Sequence, residues 1–256
     1  MGRGRMIAHC LLIETERDGL VLVDTGFGTR DVAGDTQIPL GFRQLVAPKL
    51  DTAETAIAQI EALGLRAADV RHIVVTHLDL DHAGGLADFP GARVHLHARE
   101  HAAAMAPGGF KERGRYLPGQ WSHQPKWELY TEAGDSWRGL PAINRLRGFD
   151  ADIGLLPMHG HTHGHSAVIV KTRDRWLVHA GDAYFHHATI DGNARTPFGF
   201  AVFERISQMN PAARRASVAA LRQLRHSYAD VDLFSAHDPA EYDAMSTRAR
   251  DATIAR

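Results

Sequence analysis

Ten residues near the first third of the chain constrain it more than any other feature: Thr76-His77-Leu78-Asp79-Leu80-Asp81-His82-Ala83-Gly84-Gly85. Four side chains able to hold a metal, His77, Asp79, Asp81 and His82, fall within six positions. They directly follow the apolar run His72-Ile73-Val74-Val75, which reads as a short buried strand. A loop at a strand end turns several side chains toward one point, and the paired glycines allow a tight turn into a helix. Imidazole plus carboxylate suits zinc, iron, manganese or nickel rather than a soft thiolate site. Histidine is abundant, 17 of 256 residues, whereas the single cysteine, Cys10, lies far from the cluster in sequence.

Strand signals surround this point. Residues 7–14 and 20–24 flank the turn-like Glu16-Arg17-Asp18-Gly19 and read as a hairpin that breaks into Asp24-Thr25-Gly26-Phe27-Gly28. A helix is expected from Asp51 or Thr52, with Ala56, Ile57, Ile60 and Leu63 on one face and Gly64 as its stop. Further strands are expected at 92–97, 155–156, 167–171, 176–179 and 231–235. Helices are expected at 98–105 and 210–224, the latter with Asn210 as N-cap and Pro211 in the first turn. Residues 106–150 differ in kind, rich in glycine, proline and the aromatics Tyr116, Trp121, Trp127, Tyr130 and Trp137. They are expected to form an inserted functional cover, with an apolar lid, a dimer contact and packing of the loop onto the body all left open. His95, His97, His159, His163, His186 and His187 are read as strand-face or loop residues outside the chemistry.

Beyond the first motif, Val21-Leu22-Val23-Asp24-Thr25-Gly26, Gly160-His161-Thr162-His163-Gly164-His165, His179-Ala180-Gly181-Asp182 and Ser235-Ala236-His237 occur in order over nearly the whole chain. Together the five motifs resemble those of the metallo-β-lactamase-fold hydrolases, in particular the N-acyl-homoserine-lactonase-like branch. The resemblance implies an α/β fold of the αββα sandwich type, two β-sheets flanked by helices and pseudo-duplicated, here as one domain over 1–256. Carried over, it puts His77, Asp79 and His161 around one metal and Asp81, His82 and His237 around a second, with Asp182 bridging and Asp24 and His165 behind the ligands. The departure is Asp79, where the family usually has histidine. A carboxylate there hardens the first site, so two divalent ions are expected, zinc foremost, with iron or manganese as alternatives beside Asp79.

The activity implied is hydrolysis of a small ester or lactone by a hydroxide shared between the ions, with Asp79 or Asp182 moving the proton. In the family's lactonases a tyrosine three residues after the bridging aspartate steadies the oxyanion. That position is Phe185 here, and Tyr184, one residue earlier, is carried as the catalytic candidate, with packing as the other reading. Alternatives are a small phosphoester hydrolase, an iron-dependent oxidoreductase of the same fold, and a glutathione thioesterase anchored by Arg248, Arg250 and Arg256. Lys+Arg of 29 against Asp+Glu of 30 argues against a nucleic-acid partner. No apolar run approaches a membrane span, and the basic start lacks a small-residue cleavage site, so a cytoplasmic protein acting on a small molecule is expected, with a homodimer left open.

Overall fold

The computed structural model describes residues 4–254, except 37, 133–134, 144–145, 149 and 193–194, and side chains through residue 247. Arg248, Arg250 and Arg256 therefore lie outside the described side chains.

The first sheet has the order β1 (Leu11–Glu14), β2 (Leu20–Val23), β3 (Val70–Val74), β4 (Arg93–His97), β5 (Lys126–Tyr130). Only the β1–β2 hairpin is antiparallel; β2 to β5 run parallel. A short hairpin, β6 (Ser136–Trp137) and β7 (Leu140–Pro141), leads to the second sheet. That sheet comprises β8 (Ile153–Pro157), β9 (Ser166–Lys171), β10 (Trp176–His179) and β11 (Val231–Phe234), in the order β11-β10-β9-β8. Its β10–β11 pair is parallel and the others antiparallel.

Three buried clusters define the layers. Val21, Val23 and Val74 of the first sheet meet Ile153, Leu155, Val168 and Val170 of the second in the middle. On the outer side of the first sheet, Leu22, Ile73 and Val94 pack with Ile60 and Leu86. On the outer side of the second, Ile169, Val178 and Leu233 pack with Val218, Leu221 and Leu224 of the helix Pro211–Ser227. Strands buried on both faces explain why LVLV and the 72–75 run lack alternation.

Asn210 caps the helix as its sequence predicts, accepting from the Ala212 and Ala213 amides at 3.1 and 3.0 Å. The helix expected from residue 51 is split. Asp51 caps a 3-10 turn, Thr52–Glu54, and Thr55 caps the helix Ala56–Ala62; Leu63 falls outside and is 69% exposed.

Residues 106–150 need a different description from a separate cover. They supply β5, the edge strand of the first sheet, and the β6–β7 hairpin, as well as the helix Phe110–Arg115. Tyr116 and Trp121 belong to the outer core of the first sheet, Trp127 packs against it, and Trp137 joins that of the second. Their aromatic mass fills cores instead of forming an apolar lid. Among the described residues no helix is long and apolar enough to cross a membrane.

Candidate metal centre

Motif loops follow strand ends on both sheets and converge between them. After β3 come His77 to His82; after β10, Asp182; after β11, His237; and the loop between β8 and β9 carries His161 and His165. Close backbone approach positions the first loop against the Asp24 loop. A Cβ on Gly28 would lie 2.3 Å from the Gly84 carbonyl oxygen, and one on Gly84 would lie 2.2 Å from Asp31 Oδ2. Only glycine fits at that crossing.

All seven expected donors come together as two groups that share Asp182. In the first, His77 Nε2 and His161 Nε2 lie 3.3 and 3.0 Å from Asp79 Oδ2, and 3.8 and 3.3 Å from Asp182 Oδ2. In the second, His82 Nε2 and His237 Nε2 lie 3.1 and 2.9 Å from Asp182 Oδ1, and 3.9 and 3.7 Å from Asp81 Oδ2. Donors about 2.1 Å from a tetrahedral ion sit about 3.4 Å apart, which is the middle of these spacings.

Hydrogen bonds decide which nitrogen His77, His82 and His237 present. His82 Nδ1 donates to Asp24 Oδ2 at 2.8 Å, and His237 Nδ1 to the Ile7 carbonyl at 2.6 Å. Thr76 Oγ1 donates to Asp24 Oδ2 at 2.8 Å and so accepts from His77 Nδ1 at 2.9 Å. With the proton fixed on Nδ1, each Nε2 points a lone pair into the centre. His77 Nε2, His82 Nε2, Asp79 Oδ1 and Asp182 Oδ1 are buried without a hydrogen-bond partner. Buried atoms of that kind are costly unless a cation meets them. His82 carries the same message: burial disfavours its charge, yet Asp182, Asp81 and Asp24 hold its pKa well above the usual value. The donor set fits two divalent ions.

His165 serves from behind. Its Nδ1 donates to the Met158 carbonyl at 2.9 Å and its Nε2 accepts the Asp182 amide at 2.9 Å, fixing the backbone of the shared carboxylate.

Tyr184 does not join the centre. Its side chain is fully buried, and its hydroxyl donates to Glu241 at 3.0 Å. Phe185 takes the side facing the donors, stacked on His237 at 5.0 Å and edge-on to His161 at 5.8 Å. One residue of offset reverses the face, so the phenol is spent on structure, and the catalytic expectation for Tyr184 is corrected on that ground.

Two residues at the centre have no counterpart in the motifs. Glu100, buried in the helix Ala98–Met105, accepts from the Leu78 amide (3.0 Å), Thr162 Oγ1 (2.7 Å) and the Gly164 amide (2.9 Å), tying the first and third motif loops together. Its only sequence signal was a carboxylate four residues before Ala104, on the helix's buried face. Arg115, whose side chain is 9% exposed, bonds Asp79 Oδ2 at 2.6 Å and His161 Nε2 at 3.0 Å. Burial raises the cost of charge on Asp79, but Arg115 and His77 outweigh it and hold the carboxyl well below its usual range.

Two other donor groups, His97–Glu132–His159 and His186–His187–Asp238, lie away from this centre. His97 Nδ1 accepts the Arg99 amide, leaving its proton on Nε2, which faces Glu132 at 3.3 Å. His187 gives both its amide and Nδ1 to Asp238 Oδ2, at 2.6 and 2.8 Å.

Comparison with known proteins agrees with this architecture. A probable metallo-hydrolase of Mycobacterium tuberculosis is 44% identical over 239 residues, 93% of this chain and 76% of that protein. The N-acyl homoserine lactonase AttM of Agrobacterium fabrum is 30% identical over 129 residues, 48% of this chain and 44% of the lactonase. Among solved structures, an N-acyl homoserine lactone hydrolase with N-hexanoyl-L-homoserine bound at its catalytic metal centre shares the fold. Its TM-score is 0.70 at 20% identity, covering 95% of this chain and 87% of that one. The family model of the metallo-beta-lactamase superfamily matches residues 3–250, and the chain, a metal-dependent hydrolase by its relatives and its donor set, belongs to that superfamily.

Proposed function

We propose that the protein hydrolyses small esters or lactones at a centre of two divalent ions, zinc foremost. His77, Asp79 and His161 would hold one ion, Asp81, His82 and His237 the other, and Asp182 both. The carrying observation is the division of Asp182, one oxygen to each donor group, among imidazoles whose lone pairs converge. When bound, two ions supply a water acidic enough to attack at neutral pH and polarise the carbonyl under attack.

The chain's own residues do the rest. Asp79 and Asp81 keep 14% and 15% of their side chains exposed, while the imidazoles and Asp182 are buried, so substrate enters across these two carboxylates. Asp79 keeps 14% of its side chain exposed against 4% for Asp182, which makes Asp79 the better carrier of the proton released on attack. Phe185, packed on His161 and His237, keeps water from behind the centre. Two histidines with one carboxylate around the first site favour a harder ion there, iron or manganese being the alternatives to zinc. Similarity to the lactonases supports the substrate class, and the near-zero net charge argues against a nucleic-acid substrate.

The test is metal content by elemental analysis, followed by proton release from homoserine lactones, simple lactones and aryl esters, with small phosphoesters alongside. Two ions per chain and lactone or ester turnover, lost on chelation and regained with added metal, are expected. Turnover of phosphoesters alone would replace the substrate class. Iron with oxygen consumption and no hydrolysis would overturn the reading.

A further inference from the structure

Arg115 closes the helix Phe110–Arg115, and its guanidinium is held from three sides: Asp79 Oδ2, His161 Nε2 and the Ser207 carbonyl at the end of the helix Phe198–Ser207. The helix that carries it is itself tied down. Glu112 bonds His163 of the third motif loop at 2.6 Å, and Lys111 bonds the Gln208 carbonyl. This position is therefore held by contacts to the third motif loop and to the end of the helix Phe198–Ser207.

The two acceptors of Arg115 in the centre are not equivalent. A carboxylate oxygen has two lone pairs, so Asp79 Oδ2 can serve an arginine and a metal together. An imidazole nitrogen has one. Nε2 of His161 lies 3.0 Å from both Nη1 and Asp79 Oδ2, and since the guanidinium can only donate, the tautomer that faces it with a lone pair cannot ligate an ion at the same time. Arginine stays protonated at any ordinary pH, so it does not yield by losing its proton. The second donor group has no such competitor: among the described contacts, its imidazoles face only Asp81 and Asp182 with Nε2.

We propose that Arg115 gates the first metal site, competing with the ion for His161, so that the two sites fill unequally: the Asp81–His82–His237 site first and tightly, the His77–Asp79–His161 site second and weakly. The inference rests on the two-ion reading above. Filling the first site takes His161 from Arg115, and the guanidinium keeps Asp79 and Ser207.

The experiment is calorimetric titration of the metal-stripped full chain with zinc, repeated with cobalt while following its visible absorption. Wild type is expected to show a tight event and a second one weaker by about tenfold to a hundredfold, the worth of a hydrogen bond to a charged group. His237→Ala should remove the tight event. Arg115→Met should narrow the gap by about tenfold or more and leave the tight event unchanged, which also reports that the variant is folded. If Arg115→Met loses both events through misfolding, Arg115→Lys, which keeps the charge but not the fork, should narrow the gap partly. Equal affinities in wild type, or an unchanged or wider gap in the arginine variants, would overturn the gate while leaving the hydrolase standing. One ion in wild type and in every arginine variant would instead break the two-ion reading, and the gate with it.

Discussion

Behind the second donor group every imidazole proton has a destination: His82 gives Nδ1–H to Asp24 and His237 gives it to the Ile7 carbonyl. Behind the first, His77 is anchored through Thr76, but His161 Nδ1 is buried with no partner, and its Nε2 is shared with Arg115. The donors are nearly the same chemistry in both. The surroundings differ: one site is oriented in advance, the other holds a ring that side chains pull in two directions. Affinity in a metal site is set as much by what fixes the ligands as by the ligands themselves.

The largest effect expected is from Asp24→Asn. Asp24 adopts a φ of +54°, which asparagine tolerates, so the substitution removes the charge and leaves the turn. Loss of the charged partner of His82 should weaken the second site by about 10- to 100-fold, read by the same zinc titration. If the first site weakens more, the contrast between the two is wrong.

Glu100→Gln probes the other side. A glutamine amide cannot accept all the bonds that the carboxylate takes from Leu78, Thr162 and Gly164. Chemical denaturation should show a loss of about 1–3 kcal/mol. Affinity should fall more at the first site, both of whose imidazoles sit on these loops, than at the second, which has only Asp81 and His82 on one of them.

Glu241 supports the strand end that carries His237, accepting the Ser235 amide at 2.8 Å. Burial lifts its carboxyl to about 7 from an ordinary value of 4.5. Between those values the folded chain binds more protons than the unfolded one, so this group's contribution to stability is full at low pH and declines as pH rises through 7. Glu241→Gln removes the titration. The variant's Tm relative to wild type should therefore rise between about pH 5 and pH 8; a flat difference would show that Glu241 is charged throughout.

The smallest effect falls on Tyr184→Phe. Losing the hydroxyl that bonds Glu241 should cost about 1 kcal/mol of stability. Hydrolysis rates should stay within about twofold, since a phenol outside the centre lends nothing to the barrier. A large fall in rate with unchanged stability would return the tyrosine to catalysis.

Much of this was legible in one dimension because strand-end loops bring close neighbours in sequence to one point. His77, Asp79, Asp81 and His82 needed only a strand before them and glycines after them. The strand signals alone reach only a β-rich α/β unit; the αββα layering came in through the family resemblance carried by the five motifs. The aromatic segment stayed open between lid and packing because aromatic content looks the same in both; only contact with the sheets distinguishes Trp121 and Trp137 as core. Tyr184 misled for a related reason, since facing is a property of the backbone path and not of distance along the chain.

The sequence by itself determined the cluster from His77 to His82, the order of the five motifs and most of the elements that carry them, because ligand chemistry and strand periodicity are local. His161, Asp182 and His237 entered as expected donors through the family resemblance. Only the tertiary structure decided the tautomers and the intrusion of Arg115. Those depend on partners far apart in the chain, 36 residues from Arg115 to Asp79 and 58 from His82 to Asp24. A hydrogen bond's direction and a lone pair's single vacancy exist only once such partners meet in space.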